Sequence, residues 1–441
     1  MGEVFAADAE GFREINAGRP AAHLVREAIQ NVFDEPGATK LEVTIGYGSV
    51  DGVSFRIVDD VPGGIRDERL IWTIWMSDKA DSPEKRGRMG RGLKELISVC
   101  DRSLIVTEGA PAIEFKRVRG KWERTSPRKV RPASGTRIEG ATKLWKRKDA
   151  VAIVEYLEKM RPPAGLEFIV NEKRVYGAPA LEIYSLKLPT VLFEAEEDGG
   201  RVERNPRRET TVELVREFDH FQENGVRIDV ERTASWVYEM GIPIEPIDFP
   251  LSIDVAQRVP LREKRDTLTE PYRRELFAKL LDLRVQAGNV AASQLKDNHV
   301  MVALQAPQHL SQATKAAVAE AWTGGKAFAS TPEVARSASG QHVQVVPLRA
   351  LPESVRDIVR EVGVDAKEVL AKMAVAACLT LDRSQYTPEM TALILTWEWI
   401  ARGIDRRTSV CLCSGRPSAG ASFNQEQRIL TVYGENVPHI V

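Results

Sequence analysis

Cysteine is scarce in this sequence: four residues, Cys100, Cys378, Cys411 and Cys413, whose spacing offers neither a zinc motif nor a disulfide framework. Reduced thiols of a cytoplasmic protein are the expectation. Net charge is also almost nil. The 62 Lys and Arg against 63 Asp and Glu leave −1, so a chain-wide field for nucleic acid is absent. No run of 18 or more apolar residues occurs, which argues against a membrane span. The opening MGEVFAADAEG has no basic stretch followed by an apolar one, so no signal peptide is expected. No internal repeat is visible. His23, His220, His299, His309, His342 and His439 form no H-E-x-x-H or similar cluster. What is present suits a soluble protein: 43% hydrophobic and 28% charged residues over 441 positions, enough for two to three domains.

The first informative stretch is REAIQNVFDEPGATKLEV, residues 26–43. Leu24, Ala28 and Val32 recur every four residues, and Val25 and Ile29 widen the stripe, so an amphipathic helix is expected to close near Pro36-Gly37. Glu27, Asn31 and Asp34 fall four and three apart and share one helical face. Taken alone, that pattern reads most simply as a solvated face.

The next segments change its meaning. LEVTI (41–45) and VSFRIVDD (53–60) read as two strands, the second ending on Asp59-Asp60 before VPGGI. A carboxylate at a strand end beside paired glycines can accept from a ligand that approaches the backbone. Further on, Gly87, Gly90 and Gly92 precede a helix formed by LKELISVC. Exposed amides at a helix N-terminus suit polyphosphate, although a flexible turn is the plain alternative. The loop is not a Walker A motif, because GxxxxGK[ST] is absent, and no strand-to-helix turn carries a dinucleotide fingerprint. ASGTRIEG (133–140) supplies another turn into a short strand.

Four blocks therefore occur in order: Glu27/Asn31/Asp34, Asp59 to Gly64, Gly87/Gly90/Gly92, and Gly135-Thr136. In this respect the sequence resembles the GHKL superfamily of ATPases (gyrase B, Hsp90, histidine kinases and the mismatch-repair protein MutL), over roughly residues 15–172, with an Hsp90- or MutL-like domain order. The resemblance implies a Bergerat-type α/β sandwich, a mixed sheet covered by helices on one face, with ATP and Mg²⁺ as ligands. It implies Glu27 as the general base that polarises the attacking water, Asn31 as the Mg²⁺ ligand and Asp34 as a support from the helix. Asp59 would accept the adenine amine, partly through water, and Gly63, with Gly64 beside it, would let the backbone approach the base. Ser77 and Lys79 resemble the S-x-K stretch before the lid of MutL-like members. Gly87, Gly90 and Gly92 with Leu93 and Lys94 would form the lid and phosphate cradle, and Thr136 would sit in the aspartate's neighbourhood near adenine. One departure stands out. Where the family carries D-x-G-x-G, this chain has Asp59, Asp60, Val61, Pro62, Gly63, with Gly64 added. Val61 in place of the first glycine is expected to reshape the floor of an adenine pocket.

KDAVAIVEYLEKM (148–160) reads as a helix and LEFIVNEKRV (166–175) as a strand with a turn, closing a first domain at 1–175. Residues 176–283 change texture, with strand-like runs at 181–196, 210–218 and 226–234 and a helix at the end. Within them VPLREKRDTLT (259–269) resembles the Hsp90 middle-domain segment that holds a catalytic arginine. The match implies Arg265, ahead of Arg262 and Lys264, and a ribosomal-protein-S5-like transducer domain. The plain alternative is a surface cluster.

Residues 284–441 read as a mixed α/β region of unknown role, with helices expected at 314–324, 352–363, 365–379 and 386–403 and strands at TSVCLCSG and QRILTVYG. Cys411-x-Cys413 is expected to be buried strand thiols. The chain stops directly after a strand-like run, which is compatible with a further C-terminal portion.

Residues 116–148 hold thirteen Lys and Arg against two acids, with Trp122 and Trp145 nearby. Charge and stacking there could contact nucleic acid; a solvated sheet edge is the favoured reading. The resemblance implies a nucleotide-dependent homodimer clamping DNA or a protein client. Three other readings stay open: a chaperone-like regulator without DNA, a histidine kinase, which Glu27 disfavours, and a non-catalytic ATP-binding module, which Val61 makes credible.

Overall fold

The computed structural model describes residues 9–65, 67–74, 82–87, 90–108, 110–119, 121–127, 134–195, 201–216, 218–223, 226–231, 234–262, 266–377, 379–380, 382–404, 407–414, 421–424 and 428–433. The chain divides into two compact units, Met1–Leu276 and Phe277–Val441, and the class is mixed α/β.

The first unit opens with α1 (Ala9–Ala17) and α2 (Ala21–Phe33). Apolar residues at three- and four-residue spacing put Leu24, Val25, Ala28 and Ile29 in the core, almost without exposure. Each large side chain buried this way contributes about 1.5–3 kcal/mol. The helix ends at Asp34, as its Pro36-Gly37 predicts; Gly37 takes φ +93°. Two strands follow, β1 (Lys40–Gly48) and β2 (Gly52–Asp59), then α3 (Arg69–Trp72) and α4 (Gly92–Val99). β3 (Arg102–Thr107), β4 (Ile113–Val118), β5 (Lys121–Thr125) and β6 (Thr136–Thr142) lead to α5 (Arg147–Leu157), β7 (Glu167–Val170) and β8 (Lys173–Val175).

The eight strands form one sheet in the order β5-β4-β3-β6-β2-β1-β7-β8, antiparallel except for β1 and β7. Along β2, Val53, Phe55, Ile57 and Asp59 are buried, while Ser54 and Arg56 are exposed. That alternation is the signature of a sheet covered on one face, and α2 and α5 pack on it. Strand β2 stops at Asp59, one residue short of the expected end. Asp60 turns away and accepts the Thr39 and Lys40 amides at 2.8 and 2.9 Å.

A second sheet lies in the same unit. Its strands are β9 (Ala180–Pro189), β12 (Arg207–Val215), β15 (Ser235–Glu239), β16 (Ile242–Ile247) and β17 (Ser252–Val255), in the order β16-β15-β17-β12-β9. Two hairpins accompany it, β10 (Leu192–Ala195) with β11 (Arg201–Arg204) and β13 (Phe218–Glu223) with β14 (Val226–Glu231), and α6 (Glu270–Gln286) follows.

The second unit carries helices at Gln312–Thr323, Glu353–Val362, Ala366–Ala377 and Pro388–Ile404, each where the sequence places one. A four-stranded sheet includes Ser409–Ser414 and Ile429–Tyr433, which pair in parallel. Cys413 is buried and Cys411 half-buried on the first of these strands; Cys378 lies outside the described residues. Among the described residues no helix is long and apolar enough to cross a membrane.

Candidate functional site

Helix α2 is the spine of the site. Glu27 faces inward from its middle and is only 3% exposed. Its Oε2 accepts the Gln30 amide, and its Oε1 lies 3.8 Å from Arg26 Nε and 4.0 Å from Arg19 Nη2. Opposite stands Gly92, the first residue of α4. A Cβ on Gly92 would collide with Glu27 Oε2 and come within 2.8 Å of Glu27 Cβ. Only a glycine allows this approach of backbone to carboxylate. The N-cap residue of α4, Arg91, makes no side-chain cap hydrogen bond at this N-terminus, where helix amides carry partial positive charge. Leu93 and Lys94, in that first turn, are both buried.

One turn beyond Glu27, Asn31 is half-buried on α2. The helix then closes on Asp34, whose carboxylate holds the start of the glycine segment. Oδ1 accepts the Arg86 amide at 2.8 Å and Arg86 Nη1 at 2.9 Å; Oδ2 accepts the Gly87 amide at 2.9 Å. The Arg86 guanidinium also lies over the Phe33 ring at 5.4 Å. Asp34 thus anchors backbone, which explains its buried position at the helix end. Gly90 takes φ +62°, a left-handed turn just before α4.

A third group gathers at the end of β2. Asp59 pairs across the sheet with Thr136, and its Oδ1 accepts the amides of Val61 at 3.0 Å and Thr136 at 3.1 Å. Among the described residues no hydrogen bond reaches Oδ2. Burial pushes the carboxyl up to about 6 against the pull of those two amides, and the charges of Asp60 and Glu35 raise it further. Glu35 directly follows the end of α2, and a Cβ on Gly37 would stand 3.8 Å from the Pro62 ring, so the helix end and the Asp59 loop are neighbours.

The expected reshaping at Val61 takes a definite form. Val61 packs on the apolar core, and its carbonyl accepts the Gly64 amide at 3.0 Å in a tight turn. Positive φ falls on Gly63 (+79°) and Gly64 (+54°), not on residue 61. Thr107, Glu108 and Gly135 complete this corner; no motif in the sequence marks Thr107 or Glu108. Thr107 Oγ1 accepts the Ile65 amide at 2.7 Å and sits 3.1 Å from Thr136 Oγ1. Glu108 accepts the Gly63 amide at 3.2 Å and the Gly135 amide at 3.4 Å. The signal for both is the pairing of β3 with β6, which places Thr107 opposite Thr136.

Ser77, Lys79 and Arg265 lie outside the described residues. The base of the Arg265 loop is described: Leu261 and Leu268 form a β-bridge that closes it. Leu261 lines a small cleft together with Glu27, Gln30 and Glu239. Burial, then the charges of Arg26 and Arg19, lower the imidazole of His23, one turn ahead of Glu27, to about 4, against a smaller opposing pull from Asp266. Arg262 instead pairs with Glu270 at 3.0 Å.

Of the two tryptophans weighed for stacking in residues 116–148, Trp145 is not available. Trp145 is buried and packs on Phe55, with ring centroids 6.3 Å apart, so it offers no face to a nucleobase. Arg124 lies 4.2 Å over Trp72, and Arg117 and Arg137 meet Glu10 and Glu139 at 2.6 and 3.3 Å. Of its described residues, β4 and β5 lie at one edge of the sheet while β6 lies inside it, and part of the charge is offset locally.

No family model matches the chain, and no curated protein matches it. Solved structures do. The ATPase region of Saccharomyces cerevisiae topoisomerase II bound to ICRF-187 (dexrazoxane) is 9% identical with a TM-score of 0.32, covering 57% of this chain and 79% of that one. The ATPase region of the same yeast enzyme is also matched at 11% identity and TM-score 0.33, over 57% and 78%. The ATPase and transducer domains of DNA topoisomerase II from Balamuthia mandrillaris align at 13% identity and TM-score 0.33, over 57% and 77%.

Proposed function

We propose that residues 1–175 form a GHKL-type, Bergerat-like module that binds ATP with Mg²⁺ and hydrolyses it to ADP and phosphate. The observation that carries this reading is the meeting of Glu27 with Gly92 at the start of α4. A helix N-terminus provides amides for phosphate oxygens, and a carboxylate at that point can aim a water at the terminal phosphorus. Phosphoryl transfer to water needs positioning and charge neutralisation more than covalent help. In this reading Glu27 takes the proton of the attacking water, and ADP leaves with its β-phosphate oxygen free. Gly87, Gly90, Gly92, Leu93 and Lys94 enclose the phosphates; Ser77 and Lys79 add to that enclosure.

Asn31 fits a magnesium site by chemistry, since its amide oxygen is the hard, neutral donor this ion accepts beside phosphate oxygens and water. The ion would neutralise phosphate charge. Asp59 would read the adenine amine through Oδ2, with Gly63, Gly64 and Thr136 beside it. Its Oδ1 is already fixed by two amides, which leaves one oxygen oriented for the ligand.

Residues 176–283 would act as an S5-like transducer and bring Arg265 to the γ-phosphate. The bridge Leu261–Leu268 and the cleft that Leu261 lines with Glu27 and Gln30 support that reading. Nucleotide binding would then close a homodimer on DNA or on a protein client. Residues 284–441 receive no role. Salt-sensitive DNA retention with ATP and none without it separates the DNA clamp from a chaperone-like regulator.

A second reading, a binding module without turnover, is favoured by the crowding of Glu27 with Gln30, Arg26 and Arg19. Phosphate release by the wild type and by Glu27→Ala decides between the two. Equal rates remove the general base, and binding without turnover in the wild type selects the module.

A further inference from the structure

Resting on the nucleotide reading above, one further residue is assigned a task. Arg258 has no exposed surface and is the largest fully buried side chain in the described residues. It follows β17 of the second sheet, yet its guanidinium grips the root of the glycine segment. Nε donates to the Lys85 carbonyl at 2.5 Å, Nη2 donates to the Gly87 carbonyl, and Nη1 reaches the Val191 carbonyl at 3.5 Å. Its own amide donates to the Pro83 carbonyl at 2.9 Å.

The backbone beneath this fork is held by further hydrogen bonds. The Arg258 carbonyl accepts Thr190 Oγ1 at 3.0 Å. Gln257 Nε2 donates to the Leu188 and Pro189 carbonyls at 3.4 and 3.2 Å, and the Val259 amide donates to Glu239 at 3.3 Å. From the other side Asp34 on α2 holds the Arg86 and Gly87 amides, and Arg86 Nε donates to Met240 O, in the turn joining β15 and β16, at 2.9 Å. Residues 83–87 are thus a strap whose carbonyls belong to one sheet's arginine and whose amides belong to the other module's helix. Shortly after the strap the chain reaches Gly92 and its contact with Glu27.

We propose that Arg258 is a positioning residue that makes the phosphate-facing glycines and the second sheet move as one. A buried guanidinium that holds the carbonyls of Lys85, Gly87 and Val191 among the described residues fits this task because its planar fork fixes direction as well as distance. Nothing in this role touches the nucleotide, so it bears on turnover and on transmission rather than on adenine recognition.

The test uses the full chain, with adenosine binding, ATP turnover and hydrogen exchange read on wild type, Arg258→Met and Arg258→Lys. In the wild type, a non-hydrolysable ATP analogue with Mg²⁺ is expected to slow exchange both at 83–94 and at 252–261. In Arg258→Met the slowing at 83–94 persists, that at 252–261 is lost, and kcat falls at least about tenfold with KM and adenosine affinity within about threefold. Arg258→Lys, which keeps the charge but not the fork, recovers part of both, and it carries the test alone if the Met variant does not fold. Wild-type turnover and linked exchange in a folded variant overturn the assignment. So does a parallel loss of adenosine binding and turnover in both variants, which marks a general structural role. A wild type that binds no adenine nucleotide overturns the site reading itself, and this inference with it.

Discussion

Gly92 lends its bare Cα to Glu27: a methyl group at 92 would overlap the carboxylate oxygen and stand 2.8 Å from Glu27 Cβ. No positive φ demands glycine there, so the constraint is contact with the acid rather than backbone torsion. Alanine is otherwise the better helix former by up to about 1 kcal/mol. Gly92→Ala is therefore expected to displace Glu27, costing roughly 1–3 kcal/mol of stability by overpacking. Phosphate release should drop at least about tenfold, since aiming the acid is what positions the water. Adenosine affinity should hold, and calorimetry beside a phosphate assay reads all three.

Asp59 allows a cleaner separation of binding from chemistry. Burial pushes its carboxyl up to about 6, and the ionised form offers Oδ2 as an acceptor. Adenosine affinity should rise as pH climbs through about 6 and level off above it; adenosine carries no phosphate to confuse the titration. Asp59→Asn keeps an oxygen for the Val61 and Thr136 amides but turns a donor toward the adenine amine. Affinity is expected to fall by about 1.5–3 kcal/mol, with the pH dependence abolished. Unchanged binding by calorimetry would place the base elsewhere.

Removing Asp34 should cost more stability than any other site change. Asp34→Ala leaves two amides and the buried Arg86 guanidinium without their carboxylate. Breaking a buried pair on one side costs about 3–5 kcal/mol, so the urea midpoint should fall by that equivalent. Proteolysis should begin near residues 83–92.

His23 links stability to acid. Its folded value of about 4 lies below the ordinary 6.5, so the unfolded chain takes up a proton first as pH falls. The stabilising contribution is whole above 6.5 and is lost on the way down to 4, by up to about 3 kcal/mol. Asp59 runs the opposite way: raised from 3.8 to about 6, it favours the fold as pH drops through that window. The two nearly cancel. His23→Gln should therefore be more stable at pH 4.5 than at 6.5 relative to wild type, in paired urea titrations.

Much of this is legible in order along the chain. The stripe Leu24-Ala28-Val32 marks α2, the run from Gly92 to Val99 marks α4, and the alternation of Val53, Phe55 and Ile57 marks β2 with its terminal aspartate. Local period and local turn chemistry decide such elements. The strap is not legible, because Arg258 and Lys85 are 173 residues apart and their bond depends on how two sheets meet. Trp145 misleads for a related reason: a tryptophan in a basic run looks exposed until Phe55 packs on it. Strands β15 to β17 are not marked along the sequence, because Pro243, Pro246 and Pro250 interrupt the alternation that would signal them.

The most direct measurement is single-turnover phosphate release from ATP and Mg²⁺ by the wild type and by Glu27→Gln, with nucleotide binding recorded in parallel. If Glu27 aims the water, the wild type releases phosphate, the variant slows by about a hundredfold or more, and both bind ATP alike. Equal release by the two proteins, or binding with no release from either, contradicts the assignment of this acid.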